Sequence, residues 1–294
     1  MNYQTPHLWT ALVTPLNSDH TVDYDSLKKL VDEQVSAKNG LLILGSTGEA
    51  LNLSLEDKKK IVETVCEWNP NVPIMIGVGG HDFASTLEWV RWTSSIDRVD
   101  TLLMVCPIYA KPGDEGQYHW FKNLMDATSK PVMLYNVPGR TGKELSLKAV
   151  ERLKDHKNFW AIKEASGSVE KFKEYLSASG NKSVFCGDDG LMPEFANAGS
   201  AGLVSVASNT WPAQTNLYVR QCLDKTFDAK SLWETAANSL FLASNPVPAK
   251  KLLCAQKRIA HDTMMPPLSE LDMTDITPLT KADTEVNNWF KEQQ

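Results

Sequence analysis

The chain has 294 residues, 42% of them hydrophobic and 22% charged, and carries a net charge of −6. That length suffices for one large α/β domain or two ordinary ones, and the mixture is that of a soluble globular protein. No stretch concentrates lysine and arginine, which argues against a nucleic-acid partner, and no apolar run approaches the roughly 18 residues of a membrane helix.

The opening stretch, "MNYQTPHLWTALVTPL", has no basic segment ahead of its apolar part, so no signal peptide is expected. Within it "LWTALVTPL" (8–16) reads as a first strand ending on a proline. The following "DYDSLKKLVDEQVSAKNG" (23–40) places Leu27, Leu30, Val31 and Val35 at helical spacing, with Asn39-Gly40 as the expected stop. "LLILG" (41–45) is a second strand, and Ser54 with Asp57 three residues on marks the next helix start. The alternation repeats through "PIMIGVG" (73–79), "TLLMVC" (101–106), "PVMLYNV" (131–137), "FWAIK" (159–163), "SVFCG" (183–187) and "AGLVSV" (201–206), each followed by a helical stretch. These strands are continuous apolar runs, as expected where both faces are covered.

Eight strand–helix units predict an α/β fold of the (β/α)₈ barrel type, spanning residues 1–224. An open doubly wound sheet fits less well, because no G-x-G-x-x-G follows the first strand. Beyond residue 225 no strand is expected. "SLWETAANSLFLAS" and "PAKKLLCAQKRIAH" read as extra helices, making 225–294 a helical region packed on the barrel as one unit. Cys66, Cys106, Cys186, Cys222 and Cys254 are scattered, with no C-x-x-C and no H-E-x-x-H. Neither a disulfide framework nor a metal site is expected, and a reduced cytoplasm fits. The six histidines show no ligand spacing.

Active-site residues of such barrels lie just past the strands. Collected there are the hydroxyls of "GSTGEA" (45–50), Tyr109 after strand 4, Tyr135 and Arg140 in "YNVPGRTG", Lys163 in "FWAIKEASG", and the "GDDG" and "SVASN" segments. Each has an ordinary structural alternative. Lys163 could reach solvent or pair with Glu164, Arg140 could serve a surface ion pair, and Asp188-Asp189 could cap the next helix. As a set they describe one chemistry, a neutral lysine amine attacking a ketone to form a Schiff base. A lysine of ordinary pKa is neutral in only about one molecule in several hundred at pH 8, so an apolar strand end favours the nucleophile.

In order and spacing, "GSTGE", "YNVPGRTG", "AIKEASG", "GDDG" and "AGLVSV" resemble the dihydrodipicolinate synthase and N-acetylneuraminate lyase family of class I aldolases. The resemblance runs from "TALVTPL" to "MPPLSEL" near residue 270. It implies a (β/α)₈ barrel with a C-terminal helical region, assembled as a homotetramer of tight dimers or as a homodimer. It also implies an imine between Lys163 and pyruvate with no bound cofactor or metal. Tyr135 is then the acid/base beside the lysine, with Ser46 and Tyr109 completing a hydroxyl relay and Tyr109 crossing the dimer interface. Thr47 holds the pyruvate carboxylate, the backbone at Val204 contacts pyruvate, and Arg140 receives the carboxylate of the second substrate. Arg140 and "IKEASG" look like the branch that condenses pyruvate with aspartate semialdehyde. The serine in "GSTGE" is commoner in the sialic acid lyases. A sialic acid lyase or a 2-keto-3-deoxy sugar acid aldolase is the alternative enzyme, and a keto-acid-binding sensor the non-enzyme one.

Relatives inhibited by lysine hold it with polar side chains near the "GTTGE" helix and the relay tyrosine. Here the corresponding places hold Ala50, Leu51, Leu55, Lys58 and Ile108. Insensitivity to lysine is therefore expected.

Overall fold

The computed structural model describes residues 5–180 and 182–294; the first four residues of the opening stretch, where no signal peptide is expected, lie outside the described residues. The elements alternate as the apolar rhythm requires: β1 (Leu8–Ala11), α1 (Tyr24–Ser36), β2 (Gly40–Ile43), α2 (Leu55–Glu67), β3 (Ile74–Val78), α3 (Phe83–Ser94), β4 (Thr101–Val105) and α4 (Asp114–Asp126). There follow β5 (Val132–Asn136), the short α5 (Pro138–Thr141), α6 (Leu147–Leu153), β6 (Phe159–Glu164), α7 (Val169–Ala178), β7 (Ser183–Cys186), α8 (Met192–Asn197), β8 (Leu203–Ser205) and α9 (Pro212–Asp224). Helices α10 (Lys230–Ser239), α11 (Val247–Ala255) and α12 (Thr277–Glu292) complete the chain.

The eight strands pair in parallel, each with its sequence neighbour, and β1 closes on β8. The expected barrel is borne out. Alternate residues along each strand face opposite sides, so the apolar runs supply two cores. One lines the lumen with Trp9, Leu42, Met75, Leu103, Met133, Ala161, Phe185 and Val204. The other lies between strands and helices, and it includes Trp233, Leu252 and Trp289 from α10, α11 and α12. With all strands parallel, the loops that follow them share one rim, where the chemistry must sit.

Local signals mostly hold. Ser54 caps α2 by accepting from the Asp57 amide at 3.0 Å, and its hydroxyl donates to the Asp57 carboxylate at 2.6 Å. The expected stop of α1 is corrected. The left-handed residue there is Lys38 at φ +61°, and Gly40 instead opens β2 opposite Trp9. A Cβ at residue 40 would lie 2.6 Å from the Trp9 ring, so the glycine makes room for an indole rather than a turn.

The C-terminal helices differ from expectation in extent. The first ends at Ser239, the second runs only from Val247 to Ala255, and α12 was not singled out at all. Residues 240–244, expected to continue a helix, instead join Asn245 and Pro246 in a connection that reaches the active rim. No described helix is long and apolar enough to cross a membrane.

Candidate active site

Strand β6 answers how a lysine can end an apolar run. Register places Tyr135 opposite Lys163 and Asn136 opposite Glu164. Alternation turns Lys163 to the lumen side, as it does Ala161, and sends Glu164 outward. Lys163 is only 6% exposed, and its Nζ lies 4.4 Å from the centroid of the Tyr135 ring. Glu164 accepts instead from Asn136 Nδ2 at 2.7 Å and from the Ser166 amide at 2.8 Å. Among the described residues no carboxylate lies within ion-pair distance of Lys163. Burial pushes the Glu164 carboxyl up, against the pull of these hydrogen bonds.

The loop after β7 also makes room for the lysine. A Cβ on Gly187 would stand 2.9 Å from Lys163 Cε and 2.6 Å from Ala165 Cβ, so any larger residue would push on the lysine side chain. Next to it, burial pushes the Asp188 carboxyl up to about 6, while the charge of Lys163 pulls it partly back. Its Oδ2 is buried without a hydrogen-bond partner. The helix-cap alternative for Asp188-Asp189 is corrected. Neither side chain caps the following turn, and Asp189 ties two strands together by accepting from Ser205 Oγ and from the Val206 amide at 3.0 Å. That brace holds the end of β8, where Val204 lies fully buried opposite Trp9.

The "GSTGE" loop follows β2 and turns tightly, with Gly48 N bonding Gly45 O and Glu49 N bonding Ser46 O, both at 3.1 Å. Thr47 is buried, and its Oγ1 accepts from Asn245 Nδ2 at 2.9 Å. With that lone pair used, the hydroxyl hydrogen is free to donate to a ligand. Ser46 is half-buried, and its hydroxyl makes no bond within the described chain.

Glu49 adopts φ +55°, uncommon for a residue with a side chain. Its carboxylate is held by Lys250 Nζ at 2.5 Å and by the Met265 amide at 2.7 Å, and Lys250 also donates to Thr263 O at 2.8 Å. Both charged side chains are fully buried. Burial pulls the Lys250 ammonium down, and the Glu49 charge opposes it.

Arg140, on α5, is exposed, and its Nη2 reaches 3.4 Å from the Asn245 carbonyl oxygen. Tyr109 stands apart. It is 94% exposed at φ +67°, and its hydroxyl bonds nothing in the described chain. Leu51 and Leu55 are exposed as well, at 56% and 54%.

The structure thus brings Lys163 against Tyr135 and sets Ser46, Thr47, Val204 and Arg140 on the same rim, while Tyr109 projects away. Sequence reasoning missed Asn245, and it missed the pair of Glu49 and Lys250. The glutamate stood inside a recognised motif without a role, and its partner lies 201 positions away. The donor set is amine, hydroxyl and guanidinium; among the described residues no cluster of three His, Cys, Asp or Glu side chains is placed to hold a metal. A buried amine beside a phenol suits imine chemistry on a small keto acid.

Comparison with known proteins points the same way. Residues 5–284 match the dihydrodipicolinate synthetase family. The 4-hydroxy-tetrahydrodipicolinate synthase of Francisella tularensis subsp. novicida is 44% identical over 285 residues, covering 96% of each chain. The solved 4-hydroxy-tetrahydrodipicolinate synthase of Methylacidiphilum fumariolicum SolV superposes with a TM-score of 0.92 at 29% identity, covering 98% of each chain. The chloride-inhibited dihydrodipicolinate synthase of Acinetobacter baumannii, solved with pyruvate, gives 0.88 at 30% identity, covering 96% of this chain and 99% of that one.

Proposed function

The chain belongs to the dihydrodipicolinate synthetase family, and we propose that it condenses pyruvate with L-aspartate 4-semialdehyde through an imine on Lys163. That condensation yields 4-hydroxy-tetrahydrodipicolinate and serves lysine and diaminopimelate biosynthesis. The observation that carries the assignment of the nucleophile is the 4.4 Å approach of a buried, carboxylate-free Lys163 Nζ to Tyr135.

In this reading Lys163 Nζ attacks the pyruvate ketone and water leaves, giving an imine whose nitrogen is the electron sink. Loss of a methyl proton gives an enamine, whose carbon bonds to the aldehyde carbon while the aldehyde oxygen takes a proton. The substrate's own amine then attacks the imine carbon, the bond to Nζ breaks, and Lys163 is restored. The balance is two substrates in, one cyclic product and one water out, with no oxidant and no bound cofactor required. Tyr135 moves the protons, with Ser46 and Tyr109 as relay partners. Thr47 and the Val204 backbone hold pyruvate, and Arg140 forks onto the carboxylate of the aldehyde.

The exposure of Tyr109 supports an assembled form. A relay tyrosine that is 94% exposed has a use if it enters a neighbouring subunit, as in a tight homodimer or a homotetramer. We place the enzyme in the cytoplasm, with pyruvate and aspartate semialdehyde as its partners. Regulation by lysine is absent in this reading. The exposed Leu51 and Leu55 offer no polar group, and Lys58, its Nζ 5.5 Å from the Trp89 ring centroid, would oppose a ligand ammonium. Half-inhibition by lysine below about 1 mM would contradict that.

The test of the reaction is a coupled assay offering aspartate semialdehyde, sialic acid and 2-keto-3-deoxygluconate in turn. Turnover of the semialdehyde with pyruvate is expected. Cleavage of either sugar acid at a higher kcat/KM would overturn the assignment.

A further inference from the structure

We propose that Asn245 is a further substrate-binding residue, whose side-chain Oδ1 accepts a hydrogen bond from the α-ammonium group of the aldehyde. The assignment rests on the reaction proposed above and names a contact for a group that reaction leaves unplaced.

Asn245 lies in the connection between α10 and α11, at 7% exposure. It joins the two residues assigned to the two substrate carboxylates. Its Nδ2 donates to Thr47 Oγ1 at 2.9 Å, and its backbone oxygen lies 3.4 Å from Arg140 Nη2. Its Oδ1 is buried and has no partner among the described residues. A buried carbonyl oxygen left unpaired is expensive, and at a functional rim a ligand is the natural donor.

The chemistry of the aldehyde says which donor. Its carboxylate and its ammonium sit on one carbon, so a carboxylate gripped by Arg140 brings the ammonium beside the arginine's own neighbour, Asn245. An ammonium has three hydrogens to give and no lone pair, so it needs acceptors. Arg140 can only donate, the Lys163 nitrogen is taken up in the imine with pyruvate, and one lone pair of Thr47 Oγ1 already accepts from Nδ2. Asn245 supplies two oxygens at that point, Oδ1 and the backbone carbonyl. The same contact orients the amine that must later reach the imine carbon. Asp188 Oδ2, also buried and unpartnered, is the competing acceptor.

The test compares aspartate semialdehyde with 4-oxobutanoate, which keeps the aldehyde and the carboxylate but lacks the ammonium. At saturating pyruvate, kcat/KM is measured for the first and the inhibition constant for the second, so effects through Thr47 or Arg140 fall on both. Asn245→Ala should weaken the semialdehyde relative to 4-oxobutanoate by about 10–100-fold, the worth of a hydrogen bond to a charged group. Asn245→Asp keeps the oxygens and should hold that ratio or raise it, which also serves if the alanine variant does not fold. A ratio unchanged by Asn245→Ala overturns the assignment, as does a ratio lowered by Asn245→Asp or one that collapses in Asp188→Asn instead. No turnover of aspartate semialdehyde by the unaltered enzyme would bring down the reaction itself, a failure distinct from an unchanged ratio.

Discussion

The strand ends and the C-terminal helices contribute to one site in different ways. In the proposed reaction strands β5 and β6 supply the groups that react, Tyr135 and Lys163, which their register in a closed sheet sets side by side. The region beyond residue 225 supplies none of the reacting groups. It grips the loop that carries Ser46 and Thr47, through Lys250 on Glu49 and Asn245 on Thr47, and it reaches Arg140 through the Asn245 carbonyl. In that reading the barrel provides chemistry, and the added helices hold in place the loop that carries the two hydroxyls. Removing a strand-end residue should therefore abolish a chemical step, and removing a helical anchor should loosen binding or the fold.

The largest effect expected is at the nucleophile. Lys163→Ala should cut turnover by several orders of magnitude, with an unfolding midpoint close to that of the parent. A surviving kcat within about tenfold of the parent would erase the distinction between the two regions.

The buried anchor comes next. Lys250→Met leaves the Glu49 carboxylate buried without its countercharge, and denaturant unfolding should show a loss of about 3–5 kcal/mol. Glu49→Leu combined with Lys250→Met should recover most of that stability, because apolar replacements of buried pairs are often neutral. The KM for pyruvate should nevertheless stay raised, because the loop has lost its tether. A double variant with the parent KM would show that the pair serves stability alone.

The relay and the binding residues differ by about two powers of ten. Tyr135→Phe should lower kcat roughly 10²-fold, since it removes a proton moved in the transition state. Arg140→Ala should mainly raise the KM of the aldehyde while pyruvate is still trapped on the enzyme. Equal loss of pyruvate affinity in both variants would contradict this division.

The smallest effect sharpens the electrostatics beside Lys163. Burial raises the Asp188 carboxyl from 3.8 to about 6 in the fold. The native state then binds more protons than the unfolded chain between about pH 4 and 6, so this group's contribution to stability falls as pH rises through that window. Asp188→Asn should remove that slope and stabilise the protein at pH 7 by about 1–3 kcal/mol. A steeper slope in the variant would show the carboxylate to be favourably paired instead.

Most of the barrel was legible in the chain, because parallel strands covered on both faces are written as uninterrupted apolar runs. Lys163 stood out because a cation ends such a run, and Ser54 because capping is a local matter. What escaped was non-local. Glu49 and Lys250 meet only through the fold, and Asn245 falls in the gap between two expected helices, where its bond to Thr47, 198 positions away, leaves no local trace. Gly40 misled for a related reason, since its use is the space it leaves for the Trp9 ring across the sheet. Asp189 looked like a helix cap because a brace to the next strand leaves no local trace.

The central claim is that Lys163 carries pyruvate as an imine, and reductive trapping tests it most directly. Incubation with pyruvate and borohydride, followed by peptide mapping by mass spectrometry, should place one reduced adduct per chain on Lys163, with activity lost in proportion. An adduct on another lysine, such as Lys111 or Lys250, or full activity after stoichiometric reduction, would contradict the account.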